Sequence, residues 1–391
     1  MASNTAPLQL RRTFAKGVAL VVMGLLAGCQ TMVPKGPPVG KGPTETAPIS
    51  QLPTDTERHR IALLVPLTGE NAGVGQSIAD AANLALLDSG TTKLRVTTYD
   101  TATGAANAVN RALADGNRLI LGPLLSDDVR AVSAIAAKAD VPVLSLSNDV
   151  SVAGNGTYIL GFTPGQSISR VVRFARTQGK NRFAGLVPNG VYGKRASAIL
   201  ISAAEQAGAT VVAMQSYDRS AASLSVAVKK LQANQGYDAV LIADSGRFAM
   251  QAVPLIRKNG GADAQILGTE LWNTENSIAA SPAMQGAMFA SVSDGMFNQL
   301  SAKYKARFGR SPYRLASLGY DAVLLTIRVA SNWTPGTNFP VKALNDPGGF
   351  AGVDGAFRFR SGFVAERALE VQQITAGKFA IISPAPRKFE E

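Results

Sequence analysis

The chain has 391 residues, of which 46% are apolar and 17% charged, and it carries a formal net charge of +12 at pH 7. This composition is typical of a globular protein and excludes a wholly disordered or collagen-like chain. Cys29 is the only cysteine and His59 the only histidine. A Cys-His pair or a multi-histidine zinc site therefore has very little to be built from, and an internal disulfide is excluded.

Residues 1–29 have the pattern of a secretory signal. Arg11, Arg12 and Lys16 precede an apolar stretch, residues 18–26, that is too short to span a bilayer. The stretch ends on Leu-Ala-Gly-Cys, which resembles a bacterial lipobox and predicts lipidation of Cys29; the alternative is an ordinary buried cysteine. The Arg-Arg-Thr-Phe-Ala-Lys string also fits a twin-arginine signal, although a general secretory signal is favoured.

Export would place the protein outside the cytoplasm, tethered to a membrane through Cys29. Since the sequence carries no nucleic-acid motif, we expect no nucleic-acid partner despite the basic charge. Residues 30–58 contain six prolines and hardly an apolar run, which predicts an extended linker. At about 3.1 Å per residue, this linker would reach at most about 90 Å.

Beyond residue 58, apolar runs alternate with helix-length segments. The first half predicts strands at 61–65, 94–99, 119–121 and 141–146, with helices at 77–87, at 105–114 and from 126 onward. The second half predicts helices at 166–178, 193–207, 223–233 and 246–258, with strands at 183–187, 210–215, 239–243 and 265–267. This alternation indicates α/β architecture with parallel sheets, and its length favours two lobes over one core.

Three local patterns have ordinary explanations. Gly73 and Gly75 follow the first strand but lack the last small residue of a dinucleotide-binding motif, so a flexible turn is favoured. His59 stands alone at the end of the linker, and we expect it to be solvated. The arginines at 170, 173 and 176 indicate a solvated helix face, or alternatively a docking stripe.

Hydroxyl and carboxylate side chains follow several of the predicted strands. Ser126 would cap a helix and, with free backbone N–H groups, form an anion nest. Ser145 and Ser147 lie at a second strand end, and Glu270 at a third. Because ligands of parallel sheets collect at the carboxyl ends of strands, this arrangement would suit a zwitterion.

The order of these motifs carries a family resemblance. The motifs are Leu67-Thr68-Gly69, Gly122-Pro123-x-x-Ser126, Ser145-x-Ser147, Tyr192-Gly193, Leu267-Gly268-Thr269-Glu270 and Gly319-Tyr320-Asp321-Ala322. From residue 61 to about residue 384 the chain resembles a type I periplasmic binding protein of the leucine/isoleucine/valine-binding class. The resemblance implies two lobes, each a mostly parallel sheet flanked by helices, joined by three crossovers. Lobe one would be residues 59–164 with 292–340, and lobe two residues 165–291 with 341–391.

The resemblance also implies a ligand site between the lobes. Ser126, Ser145 and Ser147 would hold an amino acid's carboxylate, Tyr192 would cover it, and Glu270 would accept its ammonium group. Asp244 is a further candidate ligand contact, at a position where such binders usually offer an aromatic side chain. Trp272 is a second departure, since it could fill space that a ligand would need.

Lipoproteins that activate penicillin-binding proteins share this fold, a lipobox and a long tether, so the chain also resembles them. The favoured function is a lipid-anchored binding protein that delivers an amino-acid-like solute to an ABC permease. The alternative is docking to a penicillin-binding protein to regulate peptidoglycan synthesis. An enzyme built on Asp244, Glu270 and Tyr192 is disfavoured, and no cofactor or metal ion is expected.

Overall fold

The computed structural model describes residues 56–391 except 233–235, 361, 388, 390 and 391. The predicted signal segment 1–29, with the lipidation site Cys29, lies outside the described residues, as does nearly all of the predicted linker 30–58. In the described part of the chain, no helix combines the length and the apolar character that crossing a membrane requires.

The first large sheet has five parallel strands in the order β2-β1-β3-β4-β5. These strands are β1 (His59–Val65), β2 (Leu94–Asp100), β3 (Leu119–Leu121), β4 (Val143–Ser145) and β5 (Thr157–Ile159). Side chains alternate between the faces of a strand. Ile61, Leu63 and Val65 accordingly enter one hydrophobic cluster, and Ala62 and Leu64 enter another on the opposite face.

Helices cover both faces of this sheet, and we call the assembly the first lobe. They are α1 (Ala72–Ser89), α2 (Ala105–Ala114) and α3 (Ser126–Lys138), joined by α8 (Asp294–Phe308) and α9 (Ala316–Ala330) from late in the chain. Helices α1 and α9 pack against each other on one face, and α2 and α3 lie together on the other.

The second large sheet has seven strands in the order β15-β14-β10-β9-β8-β6-β7. The five parallel strands are β6 (Arg182–Pro188), β7 (Thr210–Tyr217), β8 (Ala239–Ile242), β9 (Gln265–Gly268) and β10 (Met288–Ser291). The strands β14 (Glu370–Thr375) and β15 (Lys378–Ser383) add to the edge in antiparallel pairing.

Four helices flank this sheet and complete what we call the second lobe. They are α4 (Pro164–Thr177), α5 (Val191–Gln206), α6 (Ala221–Gln232) and α7 (Gly246–Lys258). Helices α4 and α5 pack on one face around Phe183 and Leu241, and α6 and α7 pack on the other around Leu186 and Val240.

A third, antiparallel sheet consists of β11 (Phe350–Gly352), β12 (Gly355–Phe359) and β13 (Ala365–Arg367). Its side chains Phe350, Phe357 and Phe359 belong to the hydrophobic cluster of the first lobe. The sequence analysis had placed this segment in the second lobe. Its aromatic side chains pack instead against the core formed by β1, α1 and α9.

The chain passes between the two lobes three times, after β5, after β10 and after β13. The predicted class of fold, two α/β lobes joined by three crossovers, is confirmed. Each predicted helix and strand of the alternating region is present, with ends that differ by a few residues; α1, for example, begins five residues before the predicted start.

The expectation that His59 is solvated is wrong. His59 is the first residue of β1, is only 3% exposed, and stacks on the ring of Trp333 with 4.0 Å between ring centroids. The polar residues before it in sequence gave no indication of this contact, because Trp333 follows α9 near the other end of the chain.

Candidate functional site

Two of the three predicted serines, Ser145 and Ser147, are buried at the strand ends of the first lobe. Ser145 Oγ donates to the Pro123 carbonyl oxygen at 3.3 Å and accepts from the backbone N–H of Ser147 at 3.1 Å. Ser147 Oγ accepts from the backbone N–H of Asp149 at 3.2 Å. Both hydroxyls therefore hold the turn that follows β4, so the structure gives each a role without a ligand.

Ser126 is placed differently. It is the first residue of α3, half-buried, and its hydroxyl makes no hydrogen bond within the described part of the chain. The helix N-cap is Leu125 rather than Ser126, and no side chain caps it. The predicted capping role is therefore wrong, and Ser126 is the one predicted first-lobe hydroxyl that holds no turn.

In the second lobe, Asp244 follows β8 and is 1% exposed. Its carboxylate accepts from Tyr217 Oη at 2.7 Å, from Arg219 Nε at 3.1 Å and Nη2 at 3.0 Å, and from the backbone N–H of Ser245 at 2.8 Å. Four donors from its own lobe satisfy the two oxygens. This environment leaves little capacity for a ligand's ammonium group.

Trp272 lies in the hydrophobic core of the second lobe. Its side chain is fully buried beside Phe289, and its Nε1 donates to the Asp244 carbonyl oxygen at 2.9 Å. Gly268 at the end of β9 makes this possible, because a Cβ there would collide with the indole ring. The glycine of the Leu-Gly-Thr-Glu motif thus accommodates Trp272, which does not line the cavity between the lobes.

Glu270 follows β9 at the start of a short 3₁₀ helix, Glu270–Thr274. Its Oε2 accepts from Ser167 Oγ at 2.6 Å, and its backbone N–H donates to the same hydroxyl at 3.1 Å. No lysine or arginine of the described residues forms an ion pair with it. Removal from water raises the pKa of this carboxyl group, and the Ser167 hydrogen bond opposes that rise.

Glu270 lines a cavity of about 250 Å³ that lies at the crossovers. Five apolar side chains form much of its wall: Phe162, Leu271, Val292, Leu315 and Leu369. Leu315 comes from the first lobe, directly before α9, and Phe162 and Leu369 lie in two of the crossovers. The cavity therefore touches both lobes and the segments that connect them.

Arg314 also lines this cavity, but its charge is engaged elsewhere. Its Nη1 lies 2.7 Å from Asp354 Oδ1, and its guanidinium stacks over the Phe297 ring at 4.0 Å. Its Nη2 lies 3.6 Å from Asp294 Oδ1, and its Nε and Nη2 atoms are buried without a hydrogen-bond partner among the described residues. Glu270 thus forms no ion pair, although its largely apolar cavity also contains the guanidinium group of Arg314.

Tyr192 lies next to Glu270 on the same side of the second lobe. Its hydroxyl and that of Thr269 form a hydrogen bond of 3.3 Å, and burial, followed by the nearby Glu270 charge, raises the pKa of Tyr192. The structure therefore brings Tyr192, Asp244 and Glu270 to one edge of the second sheet. Whether they and the three serines contact a ligand stays a prediction.

Sequence reasoning missed Ser167, Tyr217 and Arg219. The strand-end rule could have found Tyr217 and Arg219, since β7 ends at Tyr217 in the same sheet. Ser167 gave no such signal, because it meets Glu270 across 103 positions through the packing of α4. Within the described residues, no cluster of three or more His, Cys, Asp or Glu could hold a metal ion.

Comparisons with known proteins found a family match and similar folds. The sequence profile of a family described as "Periplasmic binding protein" matches residues 59–378. An uncharacterized protein of Rickettsia prowazekii (strain Madrid E) is 24% identical over 176 residues, which are 44% of this chain and 47% of that protein. The match thus spans about half the length of this curated relative.

Two solved structures have a similar fold. One is a protein provisionally described as a branched-chain amino acid ABC transporter from Rhodospirillum rubrum, with a TM-score of 0.72 and 21% identity over 83% of this chain and 100% of that one. The other is the LpoA (YraM) C-domain from Haemophilus influenzae, a regulator of PBP1A, with a TM-score of 0.67 and 20% identity over 83% and 99%. At these identities the likeness establishes the fold, and it confirms the resemblance to both groups.

Proposed function

Since the family match takes in most of the chain, the protein belongs to the periplasmic binding protein family, and we propose that it captures a small amino-acid-like ligand between its lobes without chemical conversion. The observation that carries this proposal is Glu270, a carboxylate that forms no ion pair among the described residues, in a largely apolar cavity at the crossovers that Arg314 also lines. Membership of this family implies a location outside the cytoplasm.

An ammonium group is the ligand feature that this site would recognise. Desolvation disfavours the charged form of Glu270 in the empty cavity, and a ligand cation would restore the missing charge partner. A charge-assisted hydrogen bond in a partly dry cavity is stronger than one in water. The apolar side chains around it would contact an aliphatic or aromatic part of the ligand.

Ligand capture would favour the closed arrangement of the lobes, because a molecule held by both stabilises the conformation in which both contact it. Ser126 does not line the Glu270 cavity in this arrangement of the lobes, so the proposal requires lobe closure to bring its hydroxyl to the carboxylate end of the ligand. We propose delivery of the ligand to an ABC permease, with lipid at Cys29 keeping the protein at a membrane.

A thermal-shift screen of the twenty amino acids tests the proposal. At least one amino acid should raise the unfolding temperature, because a ligand that binds only the native state stabilises it. Glu270→Gln should weaken binding of that amino acid about 10- to 100-fold, the loss expected for a hydrogen bond to a charged group. Ser126→Ala should weaken it as well. Glu205→Gln makes the same chemical change on the exposed surface of α5 and should leave binding intact.

The proposal fails if no amino acid shifts the wild type, or if Glu270→Gln and Glu205→Gln respond alike. A Cys29→Ala variant should move from the membrane fraction to the extracytoplasmic soluble fraction if the lipid proposal holds. Its retention in the membrane fraction would contradict lipid attachment at that residue.

A second candidate function is activation of a penicillin-binding protein by docking. The satisfied environment of Asp244 and the two turn-holding serines favour it, since the fold itself gives these three predicted ligand contacts a role. Under this function, a pull-down from crosslinked cells would retain a penicillin-binding protein, and no amino acid would shift the unfolding temperature. Retention of an ABC permease would instead support ligand delivery.

A further inference from the structure

A second and larger cavity adjoins the Glu270 cavity, since Thr163 and Gln166 line both. It has a volume of about 660 Å³ and is bounded by α4 and α5 of the second lobe, by Asn148 and Val150, and by residues 360, 362 and 364–367. Val150, Ile199 and Val364 give it apolar surface. The size and mixed lining are typical of a small-molecule site, which commonly measures about 300–1,000 Å³.

The side chains that line this cavity include four arginines and a single carboxylate, Glu366. Arg367 is fully buried and lies 3.9 Å from Asp321, so it is part of the interior. Arg173, Arg195 and Arg360 remain as cations with exposed surface. Positive charge therefore exceeds negative charge on the accessible wall.

The carboxylates that approach these arginines are shared between two cations each. Asp149 of the first lobe lies 2.8 Å from Arg195 Nη2 and 3.2 Å from Arg130 Nη2. Glu366 Oε2 lies 2.7 Å from Arg360 Nε and 3.0 Å from Arg358 Nε. Arg130 also pairs with Asp127 at 2.7 Å, and these contacts hold Arg195 and Arg360 at the cavity, each beside a carboxylate.

Arg173 differs from the other two arginines. Its Nε donates only to the Ser169 carbonyl oxygen of its own helix, at 3.3 Å, and no carboxylate of the described residues pairs with it. Arg170, three residues earlier, is bound to the Leu369 carbonyl oxygen and to Ser383 Oγ. The arginines at 170, 173 and 176 therefore do not act as one stripe, and of the three only Arg173 lines the cavity.

We propose that this cavity is a second ligand site beside the Glu270 cavity, and that it binds a small organic anion carrying carboxylate or phosphate groups. Planar guanidinium groups recognise both kinds of oxyanion through paired hydrogen bonds. The hydroxyl groups of Ser169 and Ser202 supply further donors on the same wall. Because the wall comes from both lobes, a bound anion bridges them and favours this arrangement of the lobes.

Calorimetric titration of the full-length protein with succinate, citrate and inorganic phosphate tests the proposal, at an ionic strength held constant with sodium chloride. At least one anion should bind above the chloride background. Arg173→Gln and Arg360→Gln should each weaken binding at least tenfold. Arg173→Lys keeps the charge but not the paired N–H donors of the guanidinium group, so its affinity should lie between those of the wild type and Arg173→Gln. Arg118→Gln removes an exposed arginine outside the cavity and is the matched control. Tighter binding of phosphate than of the carboxylates, or the reverse, shows which kind of oxyanion the cavity prefers.

Several outcomes would overturn the proposal. One is the absence of any response above chloride, and another is an equal loss in Arg173→Gln and Arg118→Gln, which would indicate general charge attraction. Binding of a hexaglutamate peptide without binding of any small anion would assign the surface to an acidic protein segment instead. Glu270→Gln should leave anion binding intact, and Arg173→Gln should leave the amino-acid response intact, so the two sites can fail independently.

Discussion

Asp244 and Glu270 follow neighbouring strands of one sheet, and both were predicted ligand contacts, yet their surroundings differ. Asp244 has four donors from its own lobe, including the guanidinium of Arg219. Glu270 accepts from one side-chain hydroxyl, forms no ion pair among the described residues, and lines a cavity. A strand-end position thus identifies a carboxylate that a ligand can reach, while the donors around it decide whether the fold or a ligand uses it.

The largest expected effect of this difference is on stability. Asp244→Asn should lower the free energy of unfolding by about 1–3 kcal/mol. An amide has one accepting oxygen where the carboxylate has two, so a buried donor such as Tyr217 Oη is left unpaired. The lost attraction to Arg219 adds little, since that side chain is 55% exposed. Glu270→Gln should leave stability at pH 7 unchanged or raised, because it removes a desolvated charge. Urea unfolding measures both.

Asp263→Asn is the control for this comparison, since Asp263 is exposed and its carboxylate makes no hydrogen bond within the described residues. The contrast between the two carboxylates breaks down if Glu270→Gln destabilises the protein as much as Asp244→Asn. It also breaks down if Asp244→Asn behaves like the Asp263 control, which would mean that its four contacts contribute nothing.

A smaller effect concerns pH. Burial raises the pKa of Glu270 in the folded protein above its ordinary value, so the folded state retains its proton where the unfolded chain has released it. This contribution to stability is fully present below the ordinary carboxyl pKa and is lost as the pH rises through the raised folded pKa. Stability of Glu270→Gln relative to the wild type should therefore increase across that interval. Urea unfolding of both proteins from pH 4 to pH 8 measures the difference, and a constant difference would contradict it.

The same contrast separates what the sequence could predict from what it could not. Continuous apolar runs such as residues 61–65 and 239–242 determine buried parallel strands by local composition, so the two α/β lobes followed from pattern alone. Contacts between distant segments have no local pattern. The stacking of His59 on Trp333 and the placement of Phe350 and Phe357 in the first lobe arise only when remote elements pack together.

The site divides in the same way. The rule that ligands collect at strand ends selected Ser126, Ser145, Ser147 and Glu270 as candidates, because a strand end can be located in a sequence, and the family resemblance added Asp244. The rule could not predict that Arg219 and Tyr217 donate hydrogen bonds to Asp244, or that Ser167 donates one to Glu270. Hydrogen-bond saturation is a property of three-dimensional neighbours, and it separates residues that look equivalent in sequence.

The smallest expected effect comes from removing the Ser167 hydroxyl, which donates a hydrogen bond to Glu270. Ser167→Ala removes the 2.6 Å hydrogen bond to the charged carboxylate, so the pKa of Glu270 should rise further, and amino-acid binding at pH 7 should weaken about two- to tenfold. Ser167→Thr keeps the hydroxyl and should restore both, while Ser197→Ala removes a hydroxyl within α5 and should change neither. Carbon-13 NMR of the Glu270 carboxyl group follows its titration directly. If the Ser167 hydroxyl only fills space, Glu270 in Ser167→Ala would titrate as it does in the wild type. The position of Glu270 would then depend on the backbone of the 3₁₀ helix alone.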